Sequence, residues 1–262
     1  MKLHGTTLLA LALMSCAALS ACGTTGGTSR FALPLDLPAG QKVAASMRVA
    51  SAAMDADAAY LNPLNVKPWG KFDADDLRNI EQSLQDTISP HLAPASGSAD
   101  PGMDLHLVVR RYVVSTSNTA GAVLACVAWA ATTPKGALIY QEQFYASDSG
   151  YLVTTIGLIK DSVHMAIVRR IATTSLALAQ GGAKDLQTRQ FDKTSTSFEA
   201  AISRLPQTMV SLGNPSLAAF PNRAVSVVGL LTPSGVSTVE WKVASPSDAF
   251  DWTGYLAKLY GP

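Results

Sequence analysis

The run Val123-Leu124-Ala125-Cys126-Val127-Ala128-Trp129 leaves an extended chain with no polar face. Side chains along a strand point alternately to opposite sides of the sheet, so a strand apolar at every position has to be covered on both sides. Residues 123–132 therefore predict a central strand. Residues 103–114 supply a neighbour, because Leu105, Leu107 and Val109 alternate with His106 and Arg110 at strand period. A third strand, 137–145, follows Thr133-Pro134-Lys135-Gly136, where proline second and glycine fourth suit a type I turn.

Helices should pack on this sheet. Leu77, Ile80, Leu84 and Ile88 share one face of a helix over 73–88. Asp73 suits its N-cap, Phe72 and Leu77 are placed for a hydrophobic staple, and Pro90 stops it. Ile156, Ile159, Val163, Ile167, Ile171 and Leu178 mark a long helix ending at Gly181-Gly182. Lys160, Asp161, His164, Arg169 and Arg170 interrupt it and exclude a membrane span. Residues 42–53 fit a first strand or a short helix equally well. The expected fold class is α+β, an antiparallel sheet packed against helices, with a main domain over 31–182.

Residues 183–262 read as a smaller C-terminal α+β unit, a helix–hairpin–helix. Thr196 and Glu199 form a candidate capping box for a helix carrying Phe198, Ile202 and Leu205. Strands over 224–231 and 236–243 flank Thr232-Pro233-Ser234-Gly235, and Ser247 or Asp248 would cap a final helix with Trp252, Tyr255, Leu256 and Leu259. The second Thr-Pro-x-Gly turn suggests a degenerate structural repeat, although turn chemistry has few solutions and can produce the same signal alone.

The N-terminus carries an address. Lys2 precedes an apolar run over 8–19, too short for a stable bilayer anchor and typical of a signal peptide. That run ends in Leu19-Ser20-Ala21-Cys22, which resembles the lipobox of bacterial lipoproteins over residues 1–23. The resemblance implies cleavage of the 1–21 signal peptide between Ala21 and Cys22, diacylglyceryl transfer to the Cys22 thiol and N-acylation of the new terminus. Residues 22–30, rich in Gly, Thr and Ser, would then be a lipidated flexible tether. Each buried lipid CH₂ contributes about 0.8 kcal/mol, so several acyl chains give lasting attachment. Gly23 in place of Asp implies the periplasmic face of the outer membrane. An ordinary secreted signal peptide cut near Ala21 is the alternative. After cleavage and acylation only Cys126 keeps a free thiol, so no disulfide can form within the chain, and its apolar neighbours predict a buried, inert group.

Chemistry is harder to find. The balance of 20 basic against 19 acidic residues offers no field to gather nucleic acid. His91, His106 and His164 remain once His4 leaves with the leader, and none has metal-ligand spacing, so no metal and no cofactor is expected. No Gly-x-Ser-x-Gly elbow or phosphate-cradling glycine loop occurs. Asp55 with Asp57, or Asp73 with Asp75 and Asp76, could form a carboxylate cluster, but the second group fits a helix start. Arg110-Arg111 and Arg169-Arg170 read as solvated or salt-bridged pairs rather than anion sites, and His106 as a surface or structural residue.

Over 72–180 the order of elements loosely resembles small bacterial envelope lipoproteins, some uncharacterised and some auxiliary to ABC-type transport systems; the tail from 184 departs from them. That resemblance implies a non-catalytic, membrane-anchored envelope lipoprotein with no catalytic residues, binding a protein partner or serving as an accessory subunit. The alternative is a tethered periplasmic hydrolase acting on cell-wall or lipid substrates, which needs titratable groups converging in a cleft.

Overall fold

The structure is a computed structural model. It describes residues 29–35, 42–43, 45–55, 72–93, 102–116, 120–151, 156–181, 190–205, 226–232, 235–239 and 249–261. The expected 1–21 leader with Ala21, Cys22 and the expected tether up to Thr28, as well as Asp57 and the second Thr-Pro-x-Gly turn at Pro233-Ser234, lie outside the described residues.

In chain order the elements are β1 (Met47–Met54), α1 (Ala74–Ile88), a 3₁₀ turn (Ser89–His91), β2 (Met103–Thr116), β3 (Ala120–Thr132), β4 (Leu138–Tyr151), α2 (Ile156–Ala179), β5 (Thr194–Ser195), α3 (Phe198–Ile202), β6 (Ser226–Thr232), β7 (Gly235–Val239) and α4 (Trp252–Tyr260). One sheet runs β1-β2-β3-β4-β6-β7, with β5 also on the outer edge of β4. The class is α+β, but the sheet is mixed. The expected antiparallel sheet is corrected at β1, which pairs parallel to β2. The reason is the connection: α1 carries the chain from the end of β1 back to the start of β2, and such a crossover makes neighbouring strands parallel. All other strand pairs are antiparallel.

β3 is central, and residues 121–132 are all buried. Strand period sorts its side chains. Val123, Ala125, Val127, Trp129 and Ala131 join the large core beneath α1 and α2. Ala122, Leu124 and Cys126 pack against Ala201 and Leu205, while Ala128 and Ala130 pack against Trp252 and Leu256. The molecule is thus three layers deep, with α1 and α2 on one face and α3 and α4 on the other. The 226–232 strand hydrogen-bonds to β4 at Tyr140, Gln141 and Glu142, so the C-terminal hairpin extends the same sheet. In β2 the register slips between Val109 and Arg111. Leu105, Leu107 and Val109 face the large core before the slip, and Tyr112 and Val114 face it afterwards, so the bulge inverts the parity.

The helix signals hold with small shifts. Asp73 caps α1 in a reciprocal capping box with Asp76. Gly181, at φ +75°, closes α2 by donating its N–H to the Leu178 carbonyl at 3.0 Å. In the tail the caps move: Ser197, not Thr196, caps α3, and Asp251, not Ser247 or Asp248, caps α4. In each case the side-chain oxygen that reaches an open N–H decides the boundary.

The polar residues that interrupt α2 are not a solvated stripe. Lys160 Nζ donates to Asp76 Oδ2 at 2.8 Å with both groups buried. Arg170 is paired with Glu142, donates to Thr194 Oγ1 at 3.0 Å and lies between the rings of Phe144 and Phe191. Glu142 also accepts from Trp129 Nε1 at 3.0 Å. His164 Nε2 lies 3.0 Å from the Tyr112 hydroxyl, and its ring meets Phe72 edge-on. Among the described residues no helix is long and apolar enough to cross a membrane.

Burial, helped by the Lys160 charge, lowers the His164 pKa to about 3. The unfolded chain, titrating near the ordinary value of about 6.5, takes up the proton first. Stability is therefore full above about pH 6.5 and falls as the pH drops toward 3. Urea titrations between pH 6 and 4.5 should show a slope about 1 kcal/mol per pH unit steeper in the native chain than in His164→Gln. Equal slopes would contradict a neutral, buried His164.

Candidate functional site

The second face of the sheet holds the densest polar assembly outside the large core. Asp104 and His106, two apart on β2, point to the same side, and α4 covers both. Tyr260 at the end of α4 donates its hydroxyl to Asp104 Oδ2 at 2.8 Å. Arg48 on β1 grips the same carboxylate with Nε at 2.8 Å and a terminal nitrogen at 3.0 Å. Arg48 is largely exposed whereas Asp104 is buried, so the pair bridges solvent and interior. Hydrogen bonds from Arg48, reinforced by the one from Tyr260, hold the Asp104 carboxyl below the usual carboxylate range against its burial.

The proton directions follow. A carboxylate only accepts, so the Tyr260 proton is committed to Asp104 and its oxygen remains an acceptor. His106 Nε2 lies 3.2 Å from that oxygen and 3.1 Å from Thr132 Oγ1, which assigns the proton to Nε2. His106 Nδ1 then accepts from Ser51 Oγ at 2.8 Å, and Ser51 Oγ accepts from the Tyr255 hydroxyl at 3.2 Å. Burial lowers the His106 pKa, opposed by Asp104 and abetted by Arg48, so the imidazole is neutral near pH 7. Ser51 donating to His106 is the start of a nucleophile–base pair. Here Tyr255 occupies the serine oxygen and Tyr260 the far side of the ring, so the chain is closed on itself. Its evident work is to fasten α4 to the sheet.

The turn beneath α4 is built for that contact. Gly136 donates its N–H to the Thr133 carbonyl at 2.9 Å and sits at φ +84°, a left-handed conformation that favours glycine. A Cβ there would lie 2.7 Å from Tyr260 Cγ, so the same glycine makes room for the tyrosine ring. Beside the Arg48–Asp104 pair opens a cavity of ≈ 270 Å³ lined by Ser46, Met47, Arg48, Gly102, Asp104 and Pro134. Its two charged groups are already paired with each other.

The remaining candidates are dispersed. His91 lies in the 3₁₀ turn, where its carbonyl accepts from Val43 N–H at 2.8 Å. Asp55 stands 3.6 Å from Arg110 and 3.9 Å from Arg111, so the adjacent arginines converge on this carboxylate. Asp73, Asp75 and Asp76 cap α1. Arg169 is exposed, but Arg170 is buried against Glu142, which corrects a wholly surface reading of that pair. Cys126 is buried between β3 and α3, and burial pushes its thiol up to about 12. Among the described residues no group of three or more His, Cys, Asp or Glu side chains is placed to hold a metal ion.

No family model matches the chain, and no curated protein matches it. Among the solved structures similar to the chain is that of a protein described only as uncharacterised, which matches over 62% of this chain and 98% of its own, at 14% identity and a TM-score of 0.31.

Sequence reasoning singled out His106 but missed Asp104, Ser51, Thr132, Tyr255 and Tyr260. The available signal was the i, i+2 placement of Asp104 and His106, which puts two polar groups on one strand face. Tyr260→Phe removes the hydroxyl that donates to ionised Asp104 and accepts from neutral His106, and should cost about 1–3 kcal/mol in urea unfolding. Amide exchange at Leu256 should quicken in the same variant. An unchanged exchange rate would mean the chain does not hold α4.

Proposed function

We propose that the chain is a membrane-anchored bacterial envelope lipoprotein, acylated on Cys22, that binds a protein partner or serves as an accessory subunit without catalysing a reaction itself. The observation that carries this reading is the Leu19-Ser20-Ala21-Cys22 motif directly after an apolar run headed by Lys2. Gly23 supports an outer-membrane destination, on the periplasmic side.

The polar architecture of the folded body supports a non-catalytic role. The Ser51–His106–Tyr260–Asp104 chain closes under α4, and Arg48 is committed to Asp104 beside the cavity. An enzyme's acid or base would instead present an uncommitted atom to a cleft. The C-terminal residues, helix–hairpin–helix in pattern, then serve as an extension of the sheet and a cover for its second face, added to a main body over 31–182.

Cys22→Ser should lose acylation and move from the membrane to the soluble fraction of cells. A variant that still fractionates wholly with membranes would contradict the lipoprotein reading. Crosslinking the acylated protein in intact envelopes should capture one stoichiometric protein partner, read by quantitative mass spectrometry. Well-solubilised envelopes that yield none would count against the accessory role.

A further inference from the structure

The entry of the chain into its folded body restricts how that body can sit on a membrane. Ser29 N–H donates to Asp161 Oδ1 at 2.9 Å, and its hydroxyl to Oδ2 at 3.3 Å. Arg30 grips Asp86 through Nε at 2.6 Å and a terminal nitrogen at 2.9 Å. Phe31 N–H donates to Ser83 Oγ and Leu33 N–H to Thr87 Oγ1, both at 3.1 Å. Residues 29–33 are thus fastened along α1, with the first of them on α2, at the outer surface of that helix layer.

Seven residue steps separate Cys22 from Ser29. Fully extended, they reach about 25 Å. A helix about 10 Å across on each side of a sheet makes the body roughly 30 Å deep. That reach cannot carry Cys22 around to the face covered by α3 and α4.

Resting on the proposed acylation of Cys22, we propose that the outer face of the α1–α2 layer lies against the lipid bilayer, with the α2 stripe Leu158–Asp161–Met165 at the contact and α4 turned away. The stripe suits a headgroup boundary. Leu158 and Met165 are three and four residues from Asp161 on one helix face, and they are 69% and 36% exposed. An exposed leucine beside the anchor gains by entering the interfacial region. Of the two carboxylates nearby, Asp86 is neutralised by Arg30, while Asp161 accepts from the Ser29 N–H and hydroxyl and is the acidic group of the stripe. Among the described residues the other exposed large apolar side chains are Met54 on β1, 37% exposed, and Leu259 on α4, 49% exposed on the layer the tether cannot reach.

The test uses the full acylated protein in phosphatidylethanolamine–phosphatidylglycerol vesicles containing a nitroxide-labelled lipid. A fluorophore is placed at Leu158→Cys or Arg169→Cys on α2, and at Thr253→Cys or Lys258→Cys on α4; all four sites are exposed, and Cys126 is buried beyond labelling. All variants should float with the vesicles, with quenching at the α2 sites several-fold stronger than at the α4 sites. Flotation with equal quenching at both sets, or stronger quenching on α4, overturns the orientation while leaving the anchor intact. Failure to float removes the anchor itself, and the orientation falls with it.

Discussion

Both faces of β3 have to be buried, and most of the architecture follows from that requirement. A strand that alternates Val, Ala, Val, Trp, Ala on one side with Ala, Leu, Cys, Ala, Ala on the other cannot lie at a solvated surface. β2 and β4 occupy its edges, α1 and α2 cover the side with the larger residues, and α3 and α4 cover the side with the smaller ones. The unequal sizes matter. The Trp129 side takes a long helix pressed close, whereas the small residues on the other side receive a short helix and a C-terminal one through Trp252 and Leu256.

Covering both faces traps polar groups, and each then needs partners, because an unpaired buried charge is costly. Asp76 and Lys160, Glu142 and Arg170, and Asp104 with Arg48 and Tyr260 meet that demand in three separate places. The pairs join elements distant in sequence: α1 to α2, β4 to α2, and β1 to β2 and α4. They therefore fix which helix lies on which part of the sheet, something apolar contact alone specifies weakly. Among the described residues His164 is an exception, with Nδ1 buried and without a hydrogen-bond partner. Keeping that ring neutral removes most of the cost.

Local signals were legible and long-range ones were not. Asp73, Pro90, the Thr-Pro-Lys-Gly turn and Gly181 act within a few residues, and each marked the boundary it should. The centrality of β3 was readable because burial on both faces leaves an unbroken apolar run. The parallel pairing of β1 was hidden, since 42–53 fitted two kinds of element and the crossover depends on where that segment lands. The bulge at Arg110 was hidden as well, because a parity change resembles the end of a strand. The assembly beneath α4 could not be assembled from sequence: Asp104 and Tyr260 are brought together by the sheet, not by spacing. The resemblance of Leu19-Ser20-Ala21-Cys22 to a lipobox needed no fold to be read, because such a motif is a short run of residues.

An acylated envelope lipoprotein stands or falls on the chemical state of Cys22. Mass spectrometry of the N-terminal proteolytic fragment, from protein extracted out of membranes, measures it. The account predicts a fragment that begins at Cys22 and carries the mass of a diacylglyceryl thioether with an amide-linked acyl chain. A fragment that begins at Cys22 without added mass, or one that keeps the residues before it, would contradict the account.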